Sequence, residues 1–152
     1  MITLGLHDKN ILNDYFDKLW NDKVNAYSSF NVKTGKLHHC ISCASGTDAL
    51  LIPLMAKGVG PGDAVITTPF TYIATAEVIS LLGAEPVFAD IYPNTFNINP
   101  YEIKKAIKRA KIRGLNPKAI IPVDLFGYPV KINEIEAIAK EQHIKVVVDA
   151  AQ

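Results

Sequence analysis

The sequence predicts an α/β fold of three layers, helix on sheet on helix, around a mostly parallel sheet. Three observations predict it. From His38 onward, short apolar runs alternate with stretches of helical periodicity. The later runs, such as Val146-Val147-Val148, are apolar without alternation, as in strands covered on both faces. Glycine and proline punctuate the joins, at Gly58, Gly60, Pro61, Gly62 and Gly83.

In chain order, Ile11, Leu12, Tyr15, Phe16, Leu19 and Trp20 recur at helical spacing, with Asn10 as a cap, and residues 25–36 read as loop. This first part, residues 1–37, stands apart from the alternating domain at 38–152. There the first strand is His39–Ala44 and the first helix Thr47–Lys57. Strand Ala64–Thr68, helix Thr71–Leu82 with Gly83 as its C-cap, and strand Pro86–Ile91 follow. Helix Pro100–Ile112 opens on a proline, which a first turn accepts. Strand Ala119–Leu125, helix Ile132–His143 and strand Lys145–Asp149 complete the series. Pro53 breaks the pattern: inside the first helix it costs about 3 kcal/mol or forces a kink.

The 152 residues suit one domain, and 49% hydrophobic content supplies a sizeable core. Sixteen basic residues against 15 acidic ones give +1, which argues against a nucleic-acid surface. No apolar run approaches the ~18 residues of a membrane span, and the start has no basic n-region or long apolar h-region. A cytoplasmic protein is the expectation. Cys40 and Cys43 form a C-x-x-C on the first strand, where residues three apart point to opposite faces. That geometry favours two partly buried cysteines over a metal site, so no metal is expected.

Ligands of such sheets lie beyond the carboxyl ends of the strands. At that edge, Ser45-Gly46-Thr47 ends one strand and begins a helix, leaving free amides in the positive end of the helix dipole. A phosphate fits there without a lysine, although the same residues also make a good N-cap. Three valines lead Asp149 into a dry setting, where its charge needs a partner. A protonated pyridine nitrogen, a magnesium ion and a structural arginine all qualify. Tyr72 offers a face to an aromatic ring or is an ordinary rim aromatic.

The segments Ser-Gly-Thr-Asp-Ala-Leu (45–50), Gly-Val-Gly-Pro-Gly-Asp (58–63), Phe-Thr-Tyr-Ile-Ala-Thr-Ala-Glu (70–77), Gly-Ala-Glu-Pro-Val-Phe-Ala-Asp-Ile (83–91), Leu-Phe-Gly-Tyr-Pro (125–129) and Val-Asp-Ala-Ala-Gln (148–152) occur in this order. Together they resemble the DegT/DnrJ/EryC1/StrS family of sugar aminotransferases, pyridoxal 5'-phosphate (PLP) enzymes of the aspartate-aminotransferase fold. Within it the chain is most similar to members that aminate UDP-linked 3-keto-N-acetylhexosaminuronic acids. The resemblance implies that residues 38–152 are part of a PLP-binding large domain and that residues 1–37 are poorly matched. It implies that Gly46 and Thr47 hold the cofactor phosphate, Tyr72 stacks on the ring, Asp149 pairs with the ring nitrogen and Gln152 bonds its phenolic oxygen. It further implies a glutamate-type amino donor, a nucleotide-linked keto-sugar acceptor and a homodimer in the full-length form.

The family's Schiff-base lysine follows the Asp-Ala-Ala-Gln segment by some tens of residues, so no catalytic lysine is expected in this chain, nor turnover by it alone. Two later strands of that fold would separate the first strand from the other four. The expectation is therefore a contiguous sheet of the second to fifth strands, with the phosphate cup displaced, mobile or held by another chain. Two other readings compete: a non-catalytic partner subunit of a full-length homologue, docking through residues 10–24, and a generic phosphate-binding α/β domain. The last explains the Ser-Gly-Thr turn but not Tyr72, Asp149 and Gln152 together.

Overall fold

The computed structural model describes residues 43–152, together with the backbone of a small antiparallel hairpin, β1 (Phe30–Asn31) and β2 (Lys36–Leu37). The hairpin falls where the sequence suggests loop. The predicted N-terminal helix, Cys40 and most of the predicted strand His39–Ala44 lie outside the described residues.

Eight elements then alternate: α1 (Gly46–Ala56), β3 (Asp63–Thr67), α2 (Ala74–Leu81), β4 (Glu85–Phe88), α3 (Pro100–Ile112), β5 (Asn116–Ile120), α4 (Ile132–Gln142) and β6 (Lys145–Val146). The strands form one parallel sheet in the order β4-β3-β5-β6, so the expected contiguous sheet is present.

Alternation along β3 builds the three layers. Ala64 and Ile66 face one side and pack with Ile103, Ala106 and Ile107 of α3 and Ile135 and Ile138 of α4. Val65 faces the other side with Leu50 and Leu54 of α1 and Val78 and Ile79 of α2. Leu50 and Leu54 are fully buried, each contributing about 1.5–3 kcal/mol of transfer free energy. Pro53 is buried as well, and α1 continues across it to Ala56 instead of breaking.

Prolines set the strand lengths, which differ from the sequence expectation. β5 begins earlier, at Asn116, and bulges after Pro117: Ala64 pairs with Pro117 but Val65 with Ala119. Val147 donates its amide to the Ile120 carbonyl, but Pro122 has no N–H to return, so the β5–β6 ladder stops. It resumes as a single bridge, Val123 with Asp149. At the other end of α4, His143 takes a left-handed conformation (φ 57°) and caps the helix, which ends at Gln142 and not at His143.

Candidate cofactor site

The orientation of α1 follows from what its far end touches. The carbonyl of Gly58, just past the helix, accepts from Lys118 Nζ at 2.6 Å, and the same ammonium lies 3.0 Å from Asp63 Oδ2. Asp63 starts β3 and Lys118 lies near the start of β5, so α1 ends at the amino edge of the sheet. Its 11 residues span about 16 Å along the sheet face, which carries Ser45, Gly46 and Thr47 to the carboxyl edge. Leu50 and Leu54 dock the helix on the core beneath that face.

At that helix start, Ser45 Oγ accepts from the Asp48 amide at 3.1 Å and donates to Asp48 Oδ2 at 2.9 Å. The first intrahelical bond runs from the Ala49 amide to the Ser45 carbonyl. The amides of Gly46 and Thr47 make no hydrogen bond among the described residues. Ser45 thus caps the helix, and the next two amides are the kind of donors a helix start offers an anion.

Asp149 lies at the same edge, 6% exposed. Its backbone is pinned on both sides, the amide donating to Pro122 O and the carbonyl accepting from the Asp124 amide, each at 2.9 Å. Its carboxylate accepts from Thr75 Oγ1 at 2.9 Å on Oδ2 and from the Ala151 amide at 3.3 Å on Oδ1. Thr75 Oγ1 lies 3.2 Å from Thr71 Oγ1 one helical turn earlier. The sequence calls for a cation or a donor beside Asp149; among the described residues the donors are the Thr75 hydroxyl and the Ala151 amide. A carboxylate has about four acceptor sites, so some remain for a further N–H.

Tyr72 lies between the two threonines and is 76% exposed, its ring open to a flat partner. Gln152 approaches from the other side: its Oε1 accepts from the Phe126 amide, which leaves the NH₂ group free to donate to an oxygen. Phe126 belongs to a short 3-10 turn, Leu125–Gly127, and adopts φ 58°. Its ring meets Phe96 edge-on at 6.0 Å, and Phe96 meets Phe70 at 5.6 Å, forming an aromatic wall along the rim. Buried Asn97 ties the two loops, donating to Tyr128 O at 2.7 Å and accepting from the Leu125 amide at 3.3 Å. Beside them is a cavity of about 200 Å³ lined by Tyr92, Asn97, Tyr128 and Lys131. The Tyr92 hydroxyl and Glu134 hold the Lys131 ammonium above its usual pKa. A larger groove, about 530 Å³, runs between α3 and α4 on the outer layer, among Lys104, Lys108 and Lys111, apart from this chemistry.

Thr75 and Asn97 escaped the sequence reading. Thr75 carried a faint signal, a threonine four residues after Thr71 on a helix start; Asn97 carried none. Of the five predicted residues, Gly46 and Thr47 open α1, Tyr72 precedes α2, and Asp149 and Gln152 follow β6: two amides with no acceptor among the described residues, an exposed phenol ring, a buried carboxylate and a carboxamide. Such a set suits a flat, cationic ring bearing a phosphate.

Comparison with known proteins agrees. Residues 22–152 match the DegT/DnrJ/EryC1/StrS aminotransferase family. UDP-2-acetamido-2-deoxy-3-oxo-D-glucuronate aminotransferase of Pseudomonas aeruginosa is 54% identical over 114 residues, 75% of this chain and 30% of the relative. The pleiotropic regulatory protein of Geobacillus stearothermophilus is 47% identical over 142 residues, 93% of this chain and 34% of the relative. A DegT DnrJ EryC1 StrS aminotransferase from Brucella abortus has a similar structure, with a TM-score of 0.75 and 44% identity over 95% of this chain and 41% of that one. NtdA of Bacillus subtilis, solved with bound cofactor PMP, gives a TM-score of 0.64 and 39% identity over 71% of this chain and 23% of that one. The chain spans about a third of the length of the curated relatives it matches. A match over most of its residues, with the fold in common, means that this chain belongs to the DegT/DnrJ/EryC1/StrS aminotransferase family.

Proposed function

We propose that residues 38–152 are the cofactor-binding part of a PLP-dependent aminotransferase. The whole enzyme passes an amino group from glutamate to a nucleotide-linked keto-sugar, for surface-polysaccharide or glycan precursors. The single observation behind this is the buried carboxylate of Asp149, held by Thr75 beyond the end of β6, in a chain whose α1 opens on a Ser45 cap followed by two amides with no acceptor among the described residues. The sugar class is supported by the names of the relatives, among them the Pseudomonas enzyme. Homodimerisation and a cytoplasmic location belong to the same proposal; among the described residues no helix is long and apolar enough to cross a membrane.

Each residue has one task. The amides of Gly46 and Thr47 hold the phosphate, in the positive end of the α1 dipole. Tyr72 covers the ring face. Asp149 keeps the proton on the ring nitrogen, and Gln152 donates to the phenolic oxygen through its free NH₂. When bound, the cofactor supplies an electron sink for the carbon that loses or gains the amino group.

On this reading the chain alone performs no turnover, and four of its described lysines are engaged away from the candidate site. Lys118 bonds Asp63 and Gly58, Lys105 pairs with Glu102, Lys111 reaches Gln142 and Lys131 lies against Glu134 and Tyr92. The test is direct. Pyridoxamine 5'-phosphate added to the chain binds saturably, and Asp149→Ala abolishes binding. Borohydride treatment with PLP followed by mass spectrometry yields no site-specific pyridoxyl-lysine. Absence of binding, or one labelled lysine in full yield, refutes the corresponding half.

A second reading, a non-catalytic partner of a full-length homologue, draws on the 93% coverage by a relative named a regulatory protein. Co-purification as a defined heteromer with that homologue, dependent on residues 10–24, distinguishes it.

A further inference from the structure

Asp149 does not meet the rim as a free side chain. Its carboxylate is the end of a line of hydroxyls that begins at Thr71, passes Thr75 and reaches Oδ2, with contacts of 3.2 and 2.9 Å. Thr75 has one proton, and an ionised carboxylate can only accept, so that proton points to Asp149. Thr75 must then accept from Thr71, which gives the line a single direction. Thr75 is 1% exposed, so water cannot replace either contact.

We infer that Thr75 is a positioning residue for the cofactor ring: it fixes the rotation of the Asp149 carboxylate, so that the acceptor sites not used by Thr75 and Ala151 stay aimed at the ring N–H. The inference rests on the cofactor reading above. Backbone pinning at Pro122 and Asp124 fixes where the Asp149 side chain starts, but not its rotation about the bonds beyond Cα. The hydroxyl of α2 supplies that constraint. It couples the sheet to the same helix start that presents Tyr72, so the carboxylate and the stacking ring are set by one element.

The experiment uses this chain and pyridoxamine 5'-phosphate carrying ¹⁵N in the ring. Thr75→Val preserves shape and removes the hydroxyl; Thr75→Ser keeps it; Thr71→Val removes only the donor behind it. With the unaltered chain and Thr75→Ser, the bound ring nitrogen shows the protonated shift well above neutral pH. With Thr75→Val, binding weakens by about tenfold, the scale of one charge-assisted hydrogen bond. The pH midpoint of the ring-nitrogen shift falls as well. Thr71→Val, at a partly exposed position, gives a smaller change in the same direction. A merely structural Thr75 lowers the melting temperature and leaves that midpoint where it was. If Thr75→Val is folded by circular dichroism and keeps both affinity and midpoint, the inference is overturned while the cofactor reading stands. If Thr75→Val does not fold, an unmoved midpoint in Thr71→Val overturns it. No binding by the unaltered chain removes the cofactor reading, and this inference with it.

Discussion

Lys118 Nζ lies 3.0 Å from Asp63 Oδ2, at the edge of the sheet opposite the candidate site. The pair closes the turn between α1 and β3: Asp63 also accepts from the Gly60 amide at 3.0 Å and from Asn116 Nδ2 at 2.9 Å. Burial alone would raise the pKa of Asp63, but the hydrogen bonds from Lys118, Asn116 and Gly60 outweigh it and bring the carboxyl below its usual 3.8. A carboxyl whose folded pKa is depressed stabilises the fold above its unfolded pKa and loses that contribution as pH falls through the folded one. Asp63→Asn is therefore expected to cost about 1–2 kcal/mol at pH 7, discounted for a lysine that is one-third exposed. The difference from the unaltered chain narrows below about pH 4. Urea unfolding at pH 7 and pH 3 measures it; an equal cost at both pH values contradicts the linkage.

The phosphate cup separates into amide and hydroxyl contributions at Thr47. It is the second residue of α1, where proline is tolerated but removes the N–H. Thr47→Pro is expected to weaken pyridoxamine 5'-phosphate binding by at least about tenfold, and Thr47→Ala, which keeps the amide, by about threefold. Pyridoxamine without its phosphate, bound far more weakly, is expected to be indifferent to both changes. Isothermal titration with the two ligands decides; equal losses for both ligands would mean that Thr47 shapes the helix and not the anion site.

Gly83 ends α2 at φ 73°, with its amide on Ser80 O and the next amide on Ile79 O. A Cβ there would also meet Pro61 Cγ at 3.1 Å. Gly83→Ala is expected to destabilise by about 1–2 kcal/mol from the left-handed backbone alone. The Pro61 contact adds to it, because a proline ring has little room to give. A melting curve unchanged from that of the unaltered chain would mean that the turn relaxes freely.

What the sequence made legible was local. Apolar runs located the strands, Pro100 located the start of α3 to the residue, Gly83 located the end of α2 to within one residue while its start at Ala74 falls three residues after the expected Thr71, and Ser45 marked the start of α1. What it hid was long-range. A bulge after Pro117 shifts the β3–β5 register and Pro122 interrupts the β5–β6 ladder, which only the strand order β3-β5-β6 reveals. Thr75 and Asp149 are 74 positions apart, and no periodicity links them. Phe96 and Phe126, both at positive φ, carry side chains that ordinarily avoid that region. Their conformation is set by the turns around them and by Asn97, and no residue preference announces it.

Asn97 gives the last prediction. Its amide donates to Tyr128 O at 2.7 Å and its carbonyl accepts from the Leu125 amide at 3.3 Å, so one buried side chain fastens the loop after β4 to the 3-10 turn after β5. That turn presents the Phe126 amide to Gln152. Asn97→Ala breaks both bonds and leaves the Leu125 amide buried without its partner, a cost of about 2–3 kcal/mol. Asn97→Asp keeps the acceptor for Leu125 but offers no donor to Tyr128 O, and sets a carboxylate against a carbonyl. It is expected to retain the protection of the Leu125 amide yet loosen the turn at Tyr128. Hydrogen exchange resolved by residue separates the two variants: Leu125 exchanges faster in Asn97→Ala only. If Gln152 depends on this turn, both variants also weaken pyridoxamine 5'-phosphate binding, Asn97→Ala the more. Unchanged exchange at Leu125 in Asn97→Ala would mean that the turn is held by its own bonds, from Asp124 O to the Gly127 amide and from Leu125 O to the Tyr128 amide.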